Sequence, residues 1–543
     1  MTSKRTVFTV DNQPFIVIGG EVHNSTASSL SYFEEALRKA KNLGLNTVLA
    51  PVYWELIEPS EGVFHFDLVD ALIHKARQKE LHLILLWFGT WKNAQSTYAP
   101  EWVKTDLKRF PRAQVKKGEN KITLKDFYGM PYTTLSYLGE ETKVADARAF
   151  SAFMAHLKEF DSEEQTVIGI QVENEVGLQG SDREHSDLAD ALYNSQVPKD
   201  FLHYMKSHTE TMDKDVKEAV EQGQASGTWE DVFGQFAGEI FSAYHIARFV
   251  EAVASAGKKV YDLPMLVNCW LDKGQVAGIY PSGGPVAKVM EVWKYVAPSI
   301  DVFAPDIYVP NFTDVCDAYT KIDNPLFIPE TATHSHAAPR LIYTIGHYHA
   351  AGYAPFGFED MGQPFDDISA YLFGVDTSDP LLQHPQDVEE YQWCSKTLNS
   401  MMPLLTSTYN TKHLQAVISE KVDMAASTPF DATKSAMISE NDTILFDDFG
   451  FKILMNMPLV TRQDGVCLIL KESDNVYYII ANGCMIHPFS TNPRKPHYDI
   501  ISLEEGDFCD GHWQTRRRLN GDEASRLVFN QYTLLKLKVF TYM

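Results

Sequence analysis

The sequence predicts a (β/α)8 TIM barrel followed by a C-terminal all-β, sandwich-like domain, and three observations predict it. From about residue 15 to 360, short β-branched runs alternate eight times with amphipathic helical stretches, the signature of a parallel barrel. Two connections in that span, 89–145 and 177–228, are far longer than ordinary loops, and both follow strands, on the C-terminal face. After about residue 415 the pattern turns to period-two alternation punctuated by turn pairs such as Asp464-Gly465 and Asn482-Gly483.

In order, the barrel strands are expected at 15–18, 46–50, 83–86, 167–172, 264–267, 300–304, 326–328 and 354–358. Ser31 with Glu34 reads as a capping box, opening a helix whose buried face is Phe33, Ala36, Leu37 and Ala40 and which Gly44 closes. Leu68, Leu72 and Ala76 mark the second helix. The first long connection carries Trp91, Tyr98, Trp102, Phe127, Tyr128, Tyr132 and Tyr137, an aromatic content suited to covering a site. The expected division is a barrel domain over 1–375, a helical connection over 376–414 and a β-sandwich over 415–543, with strands around 444–446, 466–470, 476–480 and 534–539.

The chain has 543 residues, with 48 basic against 72 acidic and a net charge of −24. That charge repels phosphate backbones and anionic membranes, so nucleic acid and membrane partners are not expected, whereas a neutral substrate is. The basic run Arg516-Arg517-Arg518 reads as a solvated loop. Six scattered cysteines without a CxxC, and a start lacking an apolar leader, fit reduced thiols in a cytoplasmic protein. The sequon Asn24-Ser25-Thr26 is then incidental, and a homo-oligomer is left open. No cofactor is expected: Ser282-Gly283-Gly284-Pro285 lacks the glycine spacing of a phosphate loop. No metal is expected either, because His334 with His336 and His347 with His349 lack a further ligand at a familiar spacing.

Two glutamates stand at the ends of different expected strands. Glu175 closes Gln171-Val172-Glu173-Asn174-Glu175 after the fourth, and Glu330 follows Ile328-Pro329 after the seventh. Glycosidic bonds are broken by such pairs, one carboxyl group protonating the leaving oxygen while the other attacks the anomeric carbon. Trp54, Trp87, Trp91 and Trp270, at or beyond strand ends, are candidates to stack on sugar faces. Glu21, His23, Glu58 and Glu359, with Glu55, are rim candidates for hydroxyl contacts, and Glu173 reads as an internal hydrogen-bonded carboxylate.

Three stretches carry a resemblance to glycoside hydrolase family 35, the β-galactosidase family. They are Gly19-Gly20-Glu21-Val22-His23; Gly44-Leu45-Asn46-Thr47-Val48 through Trp54 and Glu58-Pro59 to Gly62-Val63-Phe64-His65-Phe66-Asp67; and Ile170 to Glu175. The resemblance implies a (β/α)8 barrel, Glu175 as acid/base, Glu330 as nucleophile and Asn174 as partner of the sugar 2-hydroxyl. Glu175 must then carry a proton near neutral pH, which a charged Glu330 and burial would favour, and Tyr308 is placed to donate to Glu330. The chain departs from the family at His23-Asn24-Ser25-Thr26, where a His-Tyr-x-Arg run is usual. It departs again at Trp54-Glu55-Leu56-Ile57-Glu58-Pro59, in place of Trp-Asn-x-His-Glu-Pro, and at Thr331-Ala332-Thr333-His334. The function expected is a retaining exo-β-glycosidase acting on an oligosaccharide or β-glycoside, most simply a β-galactosidase. A β-glucosidase or β-glucan transglycosylase is the alternative, and a non-catalytic carbohydrate-binding protein the reading from another class.

Overall fold

The computed structural model describes residues 8–117, 120–122, 133–309, 311–321, 323–334, 336–364, 384–419, 443–455, 459–462, 464–509, 511–525 and 527–543. Eight parallel strands share one sheet in chain order: β1 (Val17–Glu21), β2 (Thr47–Tyr53), β3 (His82–Phe88), β4 (Val167–Val172), β5 (Met265–Trp270), β6 (Val302–Asp306), β7 (Phe327–Ile328) and β8 (Gly352–Tyr353). β8 pairs with β1 through Gly352–Val17 and Tyr353–Ile18. The seam between β6 and β7 is closed by a parallel bridge from Ile307 to Thr331, with the Ile307 N–H donating to the Glu330 carbonyl at 2.9 Å. The strands are buried on both faces, which is why they read as continuous apolar runs rather than alternating ones.

Each strand is followed by a barrel helix: α1 (Leu30–Leu43), α2 (Asp67–Gln78), α3 (Glu140–Asp161), α4 (Ala237–Lys258), α5 (Met290–Val296), α6 (Phe312–Tyr319), α7 (Ala337–Tyr343) and α8 (Val388–Ser400). α1 buries the expected face, Phe33, Ala36, Leu37 and Ala40, and Gly44 ends it at φ 74°, donating to the carbonyls of Ala40 and Lys41. The expected capping box does not form. The Thr26–Ser28 turn feeds the chain into the helix at Leu30, so Ser31 already lies inside the first turn and Ser29 occupies the cap without a side-chain bond. α8 lies in the stretch expected as a connection. It is the eighth barrel helix, fixed to the start of β2 by Asn399, which accepts from Asn46 Nδ2 at 2.9 Å and donates to the Gly44 carbonyl at 2.7 Å.

Strand positions shift from expectation most at the two ends of the barrel, and the sixth strand also lies two residues later than expected, at Val302–Asp306. Residues 13–15 pair back on Phe8–Val10 in a hairpin that seats the buried Phe8 ring 5.6 Å from Phe327, so β1 starts at Val17. β8 ends at Tyr353; beyond it only Phe356 bridges to Glu21, and Gly357 at φ 63° turns the chain into Phe358–Asp360. The long connections carry structure of their own: Glu101–Thr105 and a short hairpin in the first, Asp187–Tyr193, Lys199–Ser207 and Lys214–Gln222 in the second. Phe127, Tyr128 and Tyr132 lie outside the described residues.

The C-terminal module is an antiparallel sandwich. A six-stranded sheet runs in the order Leu414–Ile418, Val466–Ser473, Val476–Asn482, Thr533–Tyr542, His497–Cys509, His512–Leu519. A four-stranded sheet runs Thr443–Leu445, Phe449–Leu454, Cys484–Ser490, Leu527–Phe529. Period two decides what each residue meets: Cys467 and Ile469 face Phe451 and Ile486 within the sandwich, while Leu468 and Leu470 join the barrel-side core. A π-turn after α7 (Thr344–Tyr348) brings His347 and His349 to the carbonyls of Ala416 and Leu414, at 3.2 and 3.1 Å, tying barrel to module. Arg516-Arg517-Arg518 belongs to an edge strand rather than a loop, and pairs with Glu504, Glu505 and Asp507. All six cysteines are free, five of them buried. Among the described residues no helix is long and apolar enough to cross a membrane.

Candidate active site

The site is built on the C-terminal ends of β4 to β7. After Val172 the chain leaves the extended conformation, with Glu173 at φ 63° and Glu175 at φ 44°, values non-glycine residues adopt only when surroundings hold them there. Here the holders are specific. The Glu175 N–H donates to Asn268 Oδ1 at 2.9 Å, the Ala94 N–H donates to the Glu175 carbonyl at 3.0 Å, and the Asn174 N–H donates to the Trp91 carbonyl at 3.2 Å.

Glu330, just past β7, receives three donors. Tyr308 O–H reaches Oε2 at 2.9 Å, and the amides of Asn174 and Asn268 each reach Oε1 at 3.2 Å. Such convergence stabilises a carboxylate anion. Asp306, the last residue of β6, accepts from Asn268 Nδ2 at 2.8 Å. One carboxyl oxygen from each of Glu175, Asp306 and Glu330 lies within 4.8 Å of the other two. All three residues are nearly buried, Glu175 at 7% exposure and Glu330 at 5%.

Burial first, and the negative charge of Glu330 second, push Glu175 up to about 8, so it carries a proton at neutral pH. Burial and the charges of Glu330 and Glu175 hold Asp306 well above the usual carboxyl range too. Lys92 is 6% exposed, and the charges of Glu330, Glu175, Glu21 and Asp306 outweigh the burial that would lower it. Among the described residues the trio of carboxyl groups is the one cluster with metal-ligand spacing. The Tyr308 phenol and the Asn174 and Asn268 amides donate to Glu330, and Asn268 also donates to Asp306.

The candidates from the sequence divide. Glu175, Glu330, Asn174 and Tyr308 come together as described. Glu21, at the end of β1, faces the same space: it is fully buried, and burial and Glu330 hold it well above the usual range. Trp270 ends β5 partly exposed. His23 and Glu359 stand at the rim, engaged with neighbours. His23 Nε2 meets Asp360 at 2.7 Å, while Glu359 accepts from the His23 N–H at 2.8 Å and from Thr26 Oγ1 at 2.6 Å.

Four candidates are corrected. Trp54 and Glu58 are fully buried and bind each other, the indole N–H donating to Glu58 Oε2 at 2.9 Å while Arg148 and the Gly62 N–H fill Oε1. Trp87 faces out of the barrel into the helix layer, its indole donating to Asp146 at 2.8 Å beside Phe153. Trp91 packs edge-on to Phe249 at 4.8 Å and is 1% exposed. None of these presents a face to a ligand. Glu173 is internal as expected: it accepts the Trp91 N–H at 2.7 Å and shares a hydrogen bond with Asp146.

Sequence reading missed Asn268, Asp306 and Lys92. Asp306 stands two residues before Tyr308 at a strand end, and Asn268 two before Trp270, so position was a usable signal for both. Lys92 has no sequence signal beyond following Trp91.

The family model described as "Glycosyl hydrolases family 35" matches residues 7–110, which bears out the resemblance, and a domain of unknown function, DUF5597, matches residues 393–530. A beta-galactosidase of Xanthomonas manihotis is 28% identical over 202 residues, covering 35% of this chain and 28% of that protein. An exo-beta-D-glucosaminidase of Pyrococcus horikoshii is 30% identical over 141 residues, covering 24% of this chain and 17% of that protein. The chain thus spans less than a third of either relative. Among solved structures, a beta-galactosidase from Bacillus circulans sp. alkalophilus aligns at TM-score 0.45 and 13% identity, over 72% of this chain and 57% of that one. An exo-beta-1,4-mannosidase from Opitutaceae bacterium strain TAV5 aligns at TM-score 0.42 and 15% identity, over 73% and 62%.

Proposed function

We propose that this chain is a retaining, exo-acting β-glycosidase, most simply a β-galactosidase, with Glu175 as acid/base and Glu330 as nucleophile. The observation that carries the reading is the closeness of the two carboxyl groups, whose nearest oxygens lie within 4.8 Å. Retaining enzymes hold the pair about 5–5.5 Å apart, whereas inverting ones leave room for a water. The raised Glu175 and the three donors on Glu330 support the division of roles.

In the first step Glu330 bonds to the anomeric carbon, the bond from that carbon to the leaving oxygen breaks, and the Glu175 proton passes to that oxygen. In the second, a water gives its proton to Glu175, its oxygen bonds to the anomeric carbon, and Glu330 departs. The side-chain amide oxygen of Asn174, Oδ1, lacks a protein partner among the described residues, which suits it to accept the sugar 2-hydroxyl. Proton NMR of the first product from an aryl β-galactoside is the test. The β-anomer is expected, and an initial α-anomer would remove Glu330 from the nucleophile's role.

The departures at His23, Glu55 and Thr331 favour a second reading on the same mechanism, a β-glucosidase or β-glucan transglycosylase. Parallel assays on aryl β-galactosides and β-glucosides, with and without oligosaccharide acceptors, separate the two. Six free thiols support a reducing, cytoplasmic setting.

A further inference from the structure

Two buried groups in the site lack the partners that burial demands. Glu21 is fully buried, yet neither of its carboxyl oxygens has a hydrogen bond. Lys92 is 6% exposed, and its ammonium rests 5.0 Å over the Phe88 ring. Among the described residues no hydrogen bond or ion pair uses its three N–H donors. Among the described residues no ion pair joins the two side chains. A buried acceptor left open, beside a cation that no protein acceptor uses, is costly unless something polar completes it.

Their backbones are fixed. The Glu21 N–H donates to Pro355 and its carbonyl accepts from Gly357, at 2.9 and 2.8 Å. Lys92 is pinned by a reciprocal bridge to Gln95, at 2.8 and 3.0 Å, and Ala94 is bonded to Glu175 itself. A ligand therefore meets preplaced groups rather than ordering them.

Barrel order supplies the direction. Glu175 and Glu330 close β4 and β7, with the ends of β5 and β6 between them; Glu21 ends β1 and Lys92 follows β3, on the opposite half of the wall. A pyranose with its anomeric carbon between the two glutamates turns its 3- and 4-positions toward that half. Resting on the glycosidase reading, we propose that Glu21 and Lys92 together bind the 3- and 4-hydroxyls of the sugar at the cleavage subsite, so that the site takes terminal residues with a free vicinal diol. Lys92 donates to the hydroxyl oxygens and Glu21 exchanges hydrogen bonds with their protons. A substituent on either oxygen collides with this wall, which makes the action exo.

The test compares an aryl β-glycoside with its 3-deoxy and 4-deoxy analogues on wild type, Lys92→Met and Glu21→Gln. In wild type each deletion should lower kcat/KM by about 100-fold or more, since a site built to hydrogen-bond a hydroxyl rejects the analogue lacking it. In either variant the parent should lose most of that advantage, so that the penalty for deletion shrinks to a few-fold. If Lys92 and Glu21 act only on the charge of Glu330, all substrates slow equally and the deletion penalty persists, which overturns the inference and leaves the glycosidase reading standing. Glu21→Gln keeps the side-chain shape, so it reports even where Lys92→Met does not fold. Absence of turnover of every β-glycoside by wild type would instead defeat the glycosidase reading. Calorimetric titration with the parent monosaccharide and its 3-deoxy form then reads the diol contact without catalysis, and equal affinity for the two sugars in wild type overturns it.

Discussion

Asn268 accepts the backbone N–H of Glu175 on Oδ1 at 2.9 Å, so its amide nitrogen is left facing Asp306 and Glu330, at 2.8 and 3.2 Å. One side chain thereby sets the height of Glu175 and donates to the carboxylate opposite.

Asn268→Ala should therefore lower kcat/KM by about 100-fold or more, the scale at which slight misplacement of reacting groups acts. Asn268→Asp should do no better, because it turns a donor on Glu330 into a negative charge. Steady-state kinetics on an aryl β-glycoside check both; an Asp variant near wild-type activity would contradict the donor role.

The two glutamates should fail differently. Glu330→Ala should abolish turnover on every substrate, with azide or formate restoring an α-product. Glu175→Ala should still form the glycosyl-enzyme from a dinitrophenyl glycoside, whose leaving group needs no proton, and azide should then yield a β-azide. Equal losses across leaving groups without azide product would move the acid/base role away from Glu175.

With Glu175 in the proposed role of acid and raised to about 8, kcat/KM should fall as pH rises through about 8, and Glu175→Gln should lack that limb. Stability follows the same proton. The folded state holds it more tightly than the unfolded chain, where the carboxyl sits at its ordinary 4.5, so the contribution is full below that value and is lost between about 4.5 and 8. Glu21 and Asp306, also raised, add in the same direction. Thermal midpoints should thus decline over this window more steeply in wild type than in Glu175→Gln, and parallel profiles would argue against the raised value.

Glu58→Ala should weaken the fold instead of substrate recognition. It strands the Trp54 indole N–H and the Gly62 N–H, both bonded to Glu58, and one buried group left without a partner costs about 1–3 kcal/mol. Chemical denaturation reads the loss. An unchanged midpoint with a raised KM would return Glu58 to the sugar site.

The barrel was legible because its strands are buried on both faces and its helices on one, which writes unbroken apolar runs beside 3.6-periodic ones. The two glutamates were legible because a strand's C-terminal end is identifiable once the runs are counted. The tryptophans were not: Trp87 and Phe88 are neighbours on β3, yet Trp87 turns to the helix layer while Phe88 lies beneath Lys92. In a strand buried on both sides, apolar content carries no parity, and parity alone decides which residue faces the site.

The sequence by itself determined the order of elements, the two carboxylates and the change to an antiparallel module, since these depend on local periodicity and residue type. Tertiary structure decided which polar groups converge on them. Asn268, Asp306, Lys92 and Glu21 come from four different strand ends that meet only when the β6–β7 seam closes through Ile307 and Thr331. It also decided protonation: Glu175 is an ordinary carboxyl group in the chain and an acid at neutral pH only because folding buries it beside Glu330.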